Sequence, residues 1–212
     1  MTFYSASDSK FTRHYREEVA MAFSAMDCVL NGKHAVYCSN ELTTGFTLFE
    51  ALRRHKLKTV AELKERLGGD WYKANIFNRN VKAASEFAEI VRGNYSDGTM
   101  VIAPGPFSAP GWTQPEYLAF WEALVRTRIQ SVWFSRRWEF SNGCTFEFAV
   151  AVDADVPTFD HDGKALARRE GIGLIESAVR QLEAEGFDTA KLRQNLELLH
   201  TVTAGGEVPR RG

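Results

Sequence analysis

Three apolar runs, each too short for a helix, constrain this chain most. They are residues 35–38 (Ala-Val-Tyr-Cys), 99–103 (Thr-Met-Val-Ile-Ala) and 131–134 (Ser-Val-Trp-Phe). Runs of this length, rich in β-branched and aromatic residues and bounded by turn formers, fit fully buried strands. Helical patterns separate them: Ala84, Phe87, Ala88 and Val91 before the second, Tyr117, Phe120, Trp121 and Leu124 before the third. Buried strands alternating with helices make parallel βαβ units. The expected fold is therefore α/β, a Rossmann-like open parallel sheet of about four to five strands flanked by helices. A short further strand is expected over 156–159.

The remaining segments are helical additions. Ser7, Asp8 and Ser9 supply caps for a helix to about Leu30, with Phe11, Tyr15, Val19 and Phe23 on one stripe. Residues 2–6 read as an edge strand or an ordered arm. Residues 46–76 are mostly charged and helical, an insertion or lid over the loop after the first strand, with Gly68 and Gly69 closing its second segment. Asn78 or Asn80 is expected to cap the next helix, 81–92, and Pro115 opens the helix after that. From residue 164 to 203 two helices follow, separated by Gly186, with stripes at Ile172, Ile175, Val179 and Leu182 and at Leu192, Leu196 and Leu199. A chain of 212 residues, 44% hydrophobic, can bury one core. The expectation is a single domain over 1–203 with a frayed tail over 204–212.

A formal charge of -1 gives no general electrostatic reason to bind a nucleic-acid polymer or an anionic membrane. Cys28, Cys38 and Cys144 lack metal-ligand spacing and suit a reducing compartment. No apolar run approaches a membrane span. A cytoplasmic protein is the expectation. No Walker loop, Gly-x-Gly-x-x-Gly fingerprint, zinc spacing or nucleophile elbow occurs, so no cofactor and no metal are expected. The turn Asp160-His161-Asp162-Gly163 lacks evident further ligands.

The candidate site lies in the turns that follow the strands. After the first comes a polar loop, residues 39–45, in which Ser39, Asn40, Thr44 and Gly45 suit a sugar or phosphate, or simply a solvated turn. After the second, residues 104–112 are rigid and aromatic and can hold Phe107 or Trp112 as one wall of a base-sized pocket, or form a surface loop pinned by a buried Trp. After the third come Arg136 and Arg137, either phosphate partners or solvent-facing. The stretch Ser141-Asn142-Gly143-Cys144-Thr145-Phe146-Glu147 follows. Ser141 or Asn142 can cap a helix, Gly143 admits a ligand close to the backbone, and the free amides attract an anion. Taken alone, the stretch reads first as a capped helix whose first-turn Glu favours the macrodipole. Its place after the third strand of a parallel sheet, with a polar loop ending the first strand, reverses the order of the two readings and puts a binding site first.

The order of these elements over residues 34–160 resembles the nucleoside 2-deoxyribosyltransferase-like superfamily, in particular its deoxynucleoside 5′-monophosphate N-glycosidases. The resemblance rests on the polar loop 39–45, the strand ending at Pro104, and Trp138-Glu139-Phe140-Ser141-Asn142-Gly143-Cys144-Thr145-Phe146-Glu147 before a small-residue helix and Val156-Pro157. It implies that Glu147 attacks the anomeric carbon and forms a glycosyl-enzyme intermediate. Family transferases acting on free nucleosides tend to carry Asp six residues before that Glu, and monophosphate hydrolases Ser; Ser141 matches the latter. The substrate implied is a nucleoside 5′-monophosphate, deoxy and modified forms included. Ser141, Asn142 and Gly143 would bind its phosphate, Ser39, Asn40, Thr44 and Gly45 would complete the sugar–phosphate pocket, and Trp112 or Trp138 would stack on the base. Base transfer between nucleosides and nucleotide sensing without turnover stay open as alternatives. The family also implies a homodimer. One position departs: the Asp usually found just ahead of the third strand, a partner in base protonation, corresponds to Gln130. Glu41, Asp160 and His161 are the remaining candidates for leaving-group acid.

Overall fold

The structure, a computed structural model, describes residues 9–95 and 98–204, with side chains from Glu17 to Thr201. The expectations for residues 2–6, for Ser7 and Asp8 as caps, for the side chains of Phe11 and Tyr15 and for the tail beyond Ala204 lie outside the described residues.

Four parallel strands form one open sheet: β1 (Ala35–Ser39), β2 (Met100–Ile102), β3 (Ser131–Phe134) and β4 (Thr158–Phe159), in the order β2-β1-β3-β4. Val36 faces Val101 on one side and Ser131 on the other, and Val132 faces Thr158. Both faces of β1 are buried, and alternation divides its side chains between two cores. Val36 and Cys38 join Phe87, Ala88, Val91 and Trp133 on one face, under helix α5 (Asn78–Arg92). Ala35 and Tyr37 join the larger core on the other. There α6 (Gln114–Arg128) packs beside α7 (Asn142–Asp153), α1 (Ser9–Leu30) lies outside α6, and α8 (Arg168–Ala184) and α9 (Ala190–Ala204) cover α7. Thr113 and Glu116 form a capping box at the start of α6, with Pro115 in its first turn.

The segment expected as an insertion or lid is part of the main core. Its helices α2 (Phe46–His55), α3 (Val60–Leu67) and α4 (Gly69–Tyr72) contribute Leu48, Leu52, Leu63 and Tyr72 to it. Gly68 ends α3, but Gly69 begins α4 instead of closing the segment. A single π-turn, Lys73–Phe77, then carries α4 directly into α5. Neither Asn78 nor Asn80 is a cap, because both lie inside a helix already running. Among the described residues, no helix is long and apolar enough to cross a membrane.

Candidate active site

From β1 the chain leaves towards β2, and from β3 it leaves in the opposite direction, towards β4. A crevice therefore opens beyond the carboxyl ends of β1 and β3, the place where open α/β sheets bind ligands. A cleft of about 560 Å³ lies there. Its floor is Glu147, and its walls come from the loop after β1, the start of α5, the loop after β2, α6 and the start of α7.

Tyr37 and Ser39 stand two apart on β1, so both point to the face that α7 covers. Tyr37 Oη donates to Glu147 Oε1 at 2.7 Å, and Ser39 Oγ donates to Oε2 at 2.6 Å. Glu147 is only 7% exposed. Burial raises its carboxyl to about 7, although both hydrogen bonds pull the other way. Burial first, and then the Glu147 charge, push the Tyr37 phenol well above its ordinary value, so Tyr37 remains a donor. Cys144, three residues earlier on α7, is also pushed up by burial and stays a neutral thiol.

The start of α7 stands beside this carboxyl. Ser141 is the N-cap, and its Oγ accepts from Cys144 N at 3.4 Å. Thr44 Oγ1 accepts from Asn142 N at 3.3 Å, tying the β1 loop to the helix. Gly143 occupies the second helical position, where an N–H has no carbonyl of its own helix to reach. A Cβ at Gly143 would meet nothing nearer than Ser141 Oγ at 3.9 Å, so the cleft reaches its backbone. Asn40 is buried in the wall with Nδ2 donating to Cys38 O at 3.1 Å, which leaves Oδ1 as the acceptor it offers.

Of the residues expected from sequence, Asn40, Thr44, Ser141, Gly143 and Glu147 line the cleft, and Ser39 lies behind Glu147. Others do not line it. Gly45 (φ 135°) begins α2 and packs on Glu41, whose side chain fills the place a Cβ would need. Asn142 faces a separate depression against α9, where its carbonyl accepts from Asn195 Nδ2 at 2.9 Å. Trp138 is wedged in the core between Phe134 and Phe148, since the 3-10 turn Trp138–Phe140 points it inward. Trp112 packs behind Phe107, which is the ring that reaches the cleft. Arg136 pairs with Asp162 at 3.1 Å, and Arg137 lies 4.7 Å over the Phe46 ring; neither lines the cleft.

Gln130 stands at the amino end of β3, the far end of the sheet from Glu147. Its Oε1 accepts from Ala35 N at 2.5 Å. That position cannot serve the site whatever residue it holds. The three other acid candidates are also engaged elsewhere. The Glu41 carboxylate accepts from Thr47 N and Thr47 Oγ1 at the first turn of α2. Asp160 Oδ1 accepts the N–H groups of Asp162 and Lys164 within its own turn. His161 stacks on Phe87, outside the cleft.

Several lining residues were not expected at the site from sequence. Gln114, Tyr117, Leu118 and Trp121 recur at helical spacing on α6, and such a stripe reads as core whether it faces packed side chains or a cleft. Phe77 and Asn78 reach the cleft from the end of the π-turn and the start of α5. Tyr37 had a signal: it and Ser39 are two polar-tipped residues on one face of a buried strand. No family model matches the chain, and the searches of curated proteins and of solved structures found no match to it.

Proposed function

We propose that this protein hydrolyses the N-glycosidic bond of a nucleoside 5′-monophosphate, with Glu147 as the nucleophile. The observation that carries the reading is one carboxyl on the cleft floor, gripped by Tyr37 and Ser39 beside the open backbone of Gly143. The Glu147 carboxylate attacks the anomeric carbon as the bond to the base breaks, and water then hydrolyses the glycosyl ester. The Tyr37 and Ser39 donors hold the carboxylate in place and stabilise its charge before attack. The phosphate meets the Ser141 hydroxyl, the Gly143 N–H and the positive end of α7. The apolar wall of Leu42, Phe77, Val81 and Phe107 receives the base. The same reading expects a homodimer, which sedimentation checks.

The test incubates the protein with a panel of nucleoside monophosphates and follows free base. Release that Glu147→Ala abolishes supports hydrolysis. Products that form only when a second base is present assign transfer instead. Thermal stabilisation by a nucleotide without release of base assigns a sensor. Full activity in Glu147→Ala would overturn the mechanism.

A further inference from the structure

The charge of the cleft narrows its substrate. Of the described residues that line it, Glu147 alone is ionisable as an acid near neutrality, and no Lys or Arg joins it. The one other titratable lining group is Tyr117, whose hydroxyl accepts from Ala109 N at 2.9 Å and donates to Ala109 O at 3.2 Å, so its proton is engaged in pinning the loop after β2. Glu41, Asp160 and His161 are held elsewhere, as described above. Glu147 cannot attack as an anion and also protonate the departing base.

A neutral purine or pyrimidine leaves as an anion unless it is protonated, and a positioned acid is worth about 10²–10⁴-fold in such a step. A base that already carries a positive charge at its glycosidic nitrogen needs no acid. The walls suit such a ring. Phe77, Phe107 and Trp121 offer aromatic surface, which attracts a cation. Glu147 supplies the only formal counter-charge among the described lining residues, and no cation opposes the ring.

Resting on the reading of Glu147 as nucleophile, we propose that the substrate class is a nucleotide with a cationic N-glycosidic base, a pyridinium nucleotide. The C1′–N bond breaks heterolytically and its electron pair passes to the ring nitrogen, leaving a neutral pyridine. The Glu147 carboxylate forms the ester bond to C1′. Water then cleaves that ester, giving the free sugar phosphate and regenerating the carboxylate with release of one proton. No oxidant, reductant or protonated leaving group is required.

The experiment compares three probes on the full chain at pH 8: nicotinamide mononucleotide, its reduced dihydropyridine form, and adenosine 5′-monophosphate. The reduced form keeps the shape of the ring and removes its charge. Release of nicotinamide at a kcat/KM at least ~100-fold above that for either neutral probe is expected, the lower end of what an absent acid costs. The Glu147→Gln variant should release nothing. Adenine release that equals or exceeds nicotinamide release, and that Glu147→Gln abolishes, overturns this inference while leaving the nucleophile reading intact. Absence of release from all three, or release unchanged in Glu147→Gln, overturns both.

Discussion

Burial and hydrogen bonding act on Glu147 in opposite directions, and burial prevails, holding the carboxyl near 7 against 4.5 for an unperturbed Glu. Its folded pKa lies above its unfolded one, so the native state binds the proton more tightly between those values. Stability is therefore lost as pH rises from about 4.5 to about 7, by roughly 3 kcal/mol for this group. Replacing Glu147 by Gln removes that loss. At pH 8 the Glu147→Gln variant should unfold at higher urea than the parent, and at pH 4.5 the two should nearly coincide. Activity should move the other way, with kcat/KM rising about tenfold per pH unit below 7 and levelling above it, as the attacking carboxylate forms. Gly143 supplies a second separation of stability from function. Its helical position has room for a methyl group, so Gly143→Ala should gain about 0.5–1 kcal/mol in urea unfolding. The same methyl projects where the phosphate would sit, and KM for a monophosphate should rise about tenfold or more, equivalent to about 1.4 kcal/mol. Glu147, Ser141 and Gly143 were legible in the sequence because a cap, a Gly and a carboxylate keep fixed spacing along one helix. The fate of Trp112, Trp138, Arg136 and Arg137 was not, because the direction of a side chain in an irregular loop depends on which neighbours bury it.

The loop after β1 depends on two side chains from the helical segment above it. Tyr72 Oη donates to Thr43 O at 2.7 Å, and Asn80 Nδ2 donates to Leu42 O at 3.0 Å. Asn80 is buried inside α5, where an Asn has no helical advantage, so this contact is its structural purpose. Asn80→Ala leaves the Leu42 carbonyl without that donor and should cost about 1–3 kcal/mol. It should also slacken the wall opposite α6, raising KM more than it lowers kcat; equal KM values for variant and parent would show that the loop holds its place without Asn80. The order of strands and helices was readable here, because burial on both faces writes strands as apolar runs. The passage from α4 to α5 was not. Gly68 and Gly69 read as one stop signal, yet only Gly68 takes a backbone (φ 91°) that ends a helix. A π-turn, which shifts the helical register without a glycine or proline, leaves no mark in the pattern.

At the scale of the whole molecule, α7 has no exposed face. Eight consecutive residues from Cys144 to Ala151 are buried, the signature of a helix enclosed on all sides. The core around such a helix cannot end at the boundary of the resemblance, residues 34–160, because part of its cover comes later in the chain. Leu192 and Leu199 of α9 are fully buried in the same core as Phe146 and Phe148, and Phe187 joins them ahead of α9. Asn195 Nδ2 also reaches Thr145 Oγ1 at 2.8 Å and Asn142 O at 2.9 Å, fastening α9 to the turn that opens the helix carrying Glu147. The C-terminal helices are thus structural partners of the site, which their apolar stripes announced without saying what they would cover. Each large apolar side chain removed from such a core forfeits about 1.5–3 kcal/mol. Deleting everything after Glu185 removes Phe187, Leu192 and Leu199 and uncovers α7, a loss on the order of the 5–15 kcal/mol that holds a domain together. The truncated chain should show no cooperative urea transition and no protected near-ultraviolet signal from its buried tryptophans. A sharp transition in that chain would mean that α6, α8 and the sheet suffice to hold α7, and that α9 is an attachment instead of a wall.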